Sequence, residues 1–187
     1  MSLVLRKGDA MPIARDPESG AVRVIMGLGW DPVAEPIGPV DLDGSCLLFD
    51  DARNWVDTVW FDQLRSQCGS VVHTGDNLTG EGHSDDEQIL IDLSLLPDSV
   101  TSLVFVINSF SGHDFRGIDN AACRLIDVVA DREIARYCLG CQGAHTGQVM
   151  TRLARGSATG DWHMHAIGEA CNGRSFEDLL PTVRLHL

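Results

Sequence analysis

Short apolar runs, each four to seven residues long and each broken by Gly, Asp, Asn or Pro, constrain this chain more than any other feature. Such runs predict strands and turns rather than helices. The reading gives strands at 2–6, 22–28, 45–49, 58–61, 70–73, 88–93 and 102–108. The second half adds 123–129, 133–139, 148–154, 162–167 and 182–187. Hairpin turns are expected within 128–134 and 156–161, where Val-Val-Ala-Asp and Gly-Ser-Ala-Thr-Gly-Asp separate apolar segments. Strands this many and this evenly spaced point to an all-β sandwich of two antiparallel sheets, not to alternating βα units. Two short helices are expected, at 118–122 and 175–180. The second opens on Ser175 as a cap, with Asp178 three residues on.

At 187 residues, with no repeat, the chain is read as one domain spanning 1–187; the Pro-rich stretch 31–41 is a loop flanked closely by strands. No apolar run reaches the length of a transmembrane helix, and Met1–Asp9 turns polar too soon for a signal peptide. The expectation is a cytoplasmic protein with no integral membrane segment. Its six cysteines are then read as mostly buried free thiols.

The net charge of −13 excludes nucleic acid as an expected partner, because phosphates need Lys and Arg to displace their counterions. Its distribution says more. From Val24 to Ala52 there are six acidic residues and no Lys or Arg; from Ser66 to Phe115 there are eight and again none. Carboxylates gathered without cations repel one another, and either solvent or a bound cation must answer for them. The sharpest concentration lies in 71–91, where a strand enters, a Gly-rich loop turns and a strand leaves. Asp76, Glu81, Asp85, Asp86 and Glu87 supply carboxylates there, and Asn77 and Thr79 supply neutral oxygens. Calcium takes six to eight such oxygens in flexible geometry. An EF-hand does not fit: in the window from Asp76 to Glu87 the third position is Leu78, the fifth is Gly80, and Glu81 stands where the central glycine is required. The expected site is therefore C2-like, with calcium-binding loops at one end of a sandwich. Asp41 and Asp43, two apart on an extended segment, are expected on one side, and Asp31 could join them.

At these residues the chain resembles the TerD family of tellurium-resistance and bacterial stress-response proteins. The resemblance runs through Leu5-Arg-Lys-Gly-Asp9, Gly27-Leu-Gly-Trp-Asp31 and Asp41-Leu-Asp-Gly-Ser45. Its strongest part is His73-Thr-Gly-Asp-Asn-Leu-Thr-Gly-Glu-Gly82, followed by Asp85-Asp-Glu87. It continues in Val104–Ser109, Phe115, Asn120-Ala121, and Trp162 with Ala166-Ile-Gly168. It implies a calcium-binding β-sandwich without catalytic activity, tied to tellurite resistance and stress responses. It carries calcium binding onto Asp31, Asp41, Asp43, Asp76, Asn77, Asp85, Asp86 and Glu87, with Thr79 a weaker candidate; one or two ions are expected. The chain departs from the family at His83, where a carboxylate is usual, and at Ser84, where a glycine is usual. Imidazole is a poor calcium ligand, so one site is expected to be weakened.

Two other readings compete. Cys138 and Cys141, with His145 and the pair His163 and His165, form a possible zinc or thiol site. Alternatively, calcium-loaded loops switch an interaction module whose protein partner, or self-association, the sequence does not name. No nucleophile elbow, phosphate loop or His-Glu-x-x-His motif argues for an enzyme. His73 is read as a strand-end residue that orients the loop. Trp30, Trp55, Trp60 and Trp162 are read as core aromatics.

Overall fold

The computed structural model describes residues 3–31, 41–75, 85–128, 131–138 and 143–187. In chain order the strands are β1 (Leu3–Leu5), β2 (Ala10–Pro12), β3 (Arg23–Asp31), β4 (Leu42–Asp50), β5 (Trp55–Val59) and β6 (Val71–His73). They continue with β7 (Glu87–Asp92), β8 (Val100–Ser109), β9 (Asp119–Asp127), β10 (Arg132–Cys138), β11 (Gly147–Arg155) and β12 (Trp162–Cys171). A single α-helix among the described residues, α1 (Phe176–Val183), runs into a 3-10 turn at Arg184–His186.

Two six-stranded sheets form the sandwich. The first is ordered β1-β10-β9-β3-β7-β6 and the second β2-β12-β11-β8-β4-β5. All pairings are antiparallel except β1 with β10, which is parallel. Strand alternation places Val24, Met26, Leu28 and Trp30 of β3 in the core. They meet Leu42, Cys46 and Leu48 of β4 and Leu103, Phe105 and Ile107 of β8. The other face of the second sheet is covered as well: Leu47, Phe49, Val104, Val106 and Val149 pack against Phe176, Leu179 and Val183 of α1. Burial on both faces explains why Cys46–Phe49 of β4 and Leu103–Ile107 of β8 are unbroken apolar runs. Among the described residues the first sheet has no such helix on its outer face, and its strands alternate more cleanly.

The helix expected at 175–180 forms: Ser175 is the N-cap, and the Asp178 carboxylate accepts from the N–H groups of Arg174 at 2.8 Å and Ser175 at 3.3 Å. Three expectations fail. Residues 182–187 are the end of α1 and the 3-10 turn, not a strand. Their two-residue alternation loses to the helical spacing of Phe176, Leu179 and Val183, whose burial holds the segment on the second sheet. Residues 118–122 are not helical; a 3-10 turn at Phe115–Gly117 leads directly into β9, which pairs with β3. Strand β2 is new: three residues ending in Pro12, at a sheet edge, where a missing N–H costs no ladder bond. Of the tryptophans, Trp30 and Trp162 are in the core, whereas Trp55 is exposed and Trp60 half-buried. Both rings lie edge-on to Phe176, at 5.8 and 5.1 Å between centroids. Both hairpins are present, with Asp127 opposite Arg132 and Arg155 opposite Trp162.

Candidate metal centre

The site grows from the place where β3 ends and β7 begins. The amide of Asp86 donates to Leu28 O at 2.8 Å, which carries the ladder one residue past β7. The three consecutive acids then leave the backbone in three directions.

Asp85 turns to the outer face of the first sheet. Its Oδ1 accepts from Arg124 Nε at 2.5 Å and its Oδ2 from Gln88 Nε2 at 3.1 Å. It lies directly over Gly27; a Cβ there would stand 2.1 Å from Asp85 Oδ2, so no larger residue fits beneath this carboxylate. Arg124 also stands 3.5 Å from Glu133, and the acid partners raise its pKa, the Asp85 hydrogen bond foremost. The absence of Lys and Arg from 66–115 is therefore made good in three dimensions, because β9 supplies a cation to Asp85.

Asp86 stays at the end of the sandwich, where its Oδ2 accepts from the Trp30 amide at 2.9 Å. Burial raises its pKa, and the charges of Asp85 and Asp31 raise it further against that hydrogen bond. Asp31 is the last residue of β3, and in the β3–β9 register it stands opposite Asp119. The backbone position opposite Asp31 is set by strand register, which spacing along the chain does not reveal.

Glu87 points between the sheets. Its Oε2 accepts from the Gly44 amide at 2.7 Å and lies 3.3 Å from His73 Nε2, with both side chains fully enclosed. His73 Nδ1 accepts from the Gly75 amide at 3.1 Å, which leaves its proton on Nε2, facing Glu87. His73 thus joins the start of the acidic loop to a buried carboxylate. Gly44 is required here: a Cβ would lie 2.1 Å from Leu28 Cδ1 and 2.9 Å from Glu87 Oε2.

Asp43 is one residue from Gly44 and so faces the other way. Its buried carboxylate accepts from Asn108 Nδ2 at 3.3 Å on the helix-covered face, and Asn108 also donates to Arg174 O at 3.0 Å. Asp41 is half-buried just before β4. The structure therefore brings Asp31, Asp85 and Asp86 to one neighbourhood but sends Glu87 inward and Asp43 to the far side of the second sheet. Asp76, Asn77, Thr79 and His83 lie outside the described residues. Among the described residues, no three His, Cys, Asp or Glu side chains assemble as a metal cluster.

The zinc set is divided. His145 is buried edge-on to Phe115, just before β11, whereas His163 and His165 pair with Ala154 and Arg152 toward its other end. Seven or more residues of strand separate them, more than about 20 Å. The Cys138 and Cys141 side chains lie outside the description.

No helix among the described residues is long and apolar enough to cross a membrane. The TerD domain matches residues 1–181. The chain is 45% identical over 177 residues to the tellurium resistance protein TerZ of Serratia marcescens, covering 89% of this chain and 90% of the relative. It is 34% identical over 200 residues to the stress response protein SCP2 of Bacillus subtilis (strain 168), covering 96% and 98%. The fold is similar to the crystal structure of a TerD homologue from Streptomyces coelicolor A3(2), with a TM-score of 0.70 at 20% identity over 81% of this chain and 90% of that one. With a family match along nearly its whole length and two such relatives, this chain belongs to the TerD family of tellurium-resistance and stress-response proteins.

Proposed function

We propose that the chain is a calcium-binding stress protein without catalytic activity, working in the cytoplasm and holding one or two ions at the end of the sandwich where β3 stops and β7 starts. The observation that carries this reading is Asp86. It is fixed by a backbone N–H while burial, Asp85 and Asp31 all push it toward its protonated form. A divalent cation would reverse that push, since it favours the ionised carboxylates. Asp31 and Asp86 fit a calcium ion as oxygen donors on adjacent strand ends. In this reading Asp76, Asn77, Thr79 and Asp41 complete the oxygen set. Asp43 and Glu87 contribute by holding β4 and β6 in place around it, and Asp85 contributes only in exchange for Arg124. The output of binding would be a protein contact, with a partner or a second copy, switched by the ion.

Native mass spectrometry with and without chelator, followed by calorimetric titration, tests the proposal. Calcium should bind in one or two equivalents at micromolar to millimolar concentration, and magnesium much more weakly because it dehydrates reluctantly. Stoichiometric zinc with no calcium would replace this reading by the Cys/His one.

A further inference from the structure

At the opposite end of the second sheet, on its outer face, the charge balance is inverted. Among the described residues, Lys7, Arg15, Arg23, Arg116, Arg124, Arg136 and Arg155 each have a carboxylate partner. Arg53, Arg152 and Arg184 form no such pair, and neither do Arg6, Arg65, Arg132 and Arg174, but only the first three converge. Arg152 of β11 lies half-buried, its Nε and Nη2 donating to Ser102 Oγ at 3.1 and 2.8 Å and its Nη1 to His186 O at 3.0 Å. Arg184, two residues from His186, donates to Arg53 O at 3.4 Å, which ties the β4–β5 turn to the 3-10 turn. In the β11–β12 register Arg152 is the partner of His165, and His163 is the next outward-facing position on β12. Three guanidiniums and three histidines, counting His186, thus share one face. His186 Nε2 is itself buried without a hydrogen-bond partner.

Two of the three nearby acidic side chains are already engaged. Glu169 is held by Lys7 at 2.6 Å, and Asp50 accepts from the Asn54 backbone at 2.7 Å and side chain at 2.9 Å. Asp51, in the same turn as Arg53, is exposed. Burial and the neighbouring Arg53 lower the pKa of Arg152, so the site disfavours its own charge. A guanidinium has five N–H donors; three contacts leave Arg152 with two to offer. A cation withdrawn from water without a counter-charge is costly to the fold, and an anion at this place removes that cost.

We propose that Arg152, flanked by His163, His165, Arg53 and Arg184, forms a binding site for a small multiply charged oxyanion of the phosphate class. The guanidinium fork, held in one orientation by Ser102 and His186, matches the geometry of two oxygens of such an ion. The occupant is small because the chain as a whole carries −13. A polyanion would meet that field along its length, whereas a small ion within about 8 Å of the arginines sees mainly them.

Titration calorimetry at low ionic strength in chelated buffer is the test, with inorganic phosphate and AMP as probes and chloride at matched ionic strength as control. Wild type should bind phosphate saturably and at least tenfold more tightly than chloride. AMP binding as tightly as phosphate identifies a phosphomonoester as the ligand, and AMP failing while phosphate binds identifies the free ion; both keep the site. Arg152→Met should weaken phosphate at least tenfold, as expected for loss of charge-assisted hydrogen bonds. Because Arg152 also braces the 3-10 turn, Arg53→Ala and His163→Gln provide the second arm. Each should weaken phosphate about threefold, roughly the loss of one screened charge, with melting temperature unchanged. Binding no tighter than chloride, or phosphate affinity untouched in all three variants, overturns the proposal.

Discussion

The two ends of this sandwich carry opposite local charge, and they manage it differently. Where β3 meets β7, acids crowd together, and Arg124, the one cation that pairs with them among the described residues, is taken by Asp85. Where β11 meets β12 on the outer face, arginines and histidines gather, and two of the neighbouring acids, Glu169 and Asp50, are occupied by Lys7 and Asn54. A net charge of −13 conceals both fields. The lesson is that charge counted along the chain predicts neither: each field arises because strand ends distant in sequence finish at the same place. At the acidic end the sheet holds its carboxylates with backbone amides of Trp30 and Gly44. At the basic end it holds a guanidinium with Ser102 and a main-chain carbonyl.

The largest expected effect separates the ends by ligand. Calcium at about a hundredfold excess over its dissociation constant should stabilise the protein by about 2.7 kcal/mol per site. Scanning calorimetry should show the melting temperature rise with calcium and fall with chelator, while Arg152→Met leaves that rise intact. A calcium effect lost in Arg152→Met would join the two ends and break the comparison.

Next in size is Arg124→Met. It leaves Asp85, whose side chain is 5% exposed, without its cation, and should cost about 2 kcal/mol in chelator by urea unfolding. If Asp85 is then released to the ion, calcium should recover more stability in this variant than in wild type. Equal recovery would place Asp85 outside the ion's reach.

A smaller gain is expected from His83→Asp, which restores a carboxylate where the family usually carries one. About fivefold tighter calcium binding, roughly 1 kcal/mol, is expected at low salt, shrinking as salt screens the loop. Affinities within about twofold of wild type in the titration would remove His83 from the account.

The finest test splits two neighbouring acids. In chelator, Asp85→Asn should lose about 0.8 kcal/mol, because it gives up Arg124, whereas Asp86→Asn should gain about 0.5 kcal/mol, kept small because solvent screens a partly exposed group. The sign for Asp86 follows from its raised pKa: the ionised form is penalised in the folded state, so wild type gains stability as pH falls from the folded value to the unfolded one. The advantage of Asp86→Asn should therefore be full above the folded pKa and vanish below about pH 4, the ordinary carboxylate range. Two changes of the same sign would mean that the end behaves as one undivided acidic patch.

Most of the strands, the sandwich and the capped helix were legible along the chain. These are local matters: two-residue alternation, turn residues and the Ser175–Asp178 spacing act over a few neighbouring residues. Most β-strand boundaries were legible to within about three residues for the same reason. What failed was settled at a distance. The segment 182–187 alternates like a strand, yet it follows α1 because Leu179 and Val183 find a hydrophobic surface on the second sheet. Asp41 and Asp43 promised a shared side with Asp31, but β4 is buried on both faces, so the side given to Asp43 faces Asn108 and the helix. Arg124 lies 39 positions from Asp85, and no spacing rule along the chain connects it to that carboxylate. Only the pairing of β9 with β3 does so, because strand register converts sequence distance into a few ångströms and fixes which charges must share a sheet face.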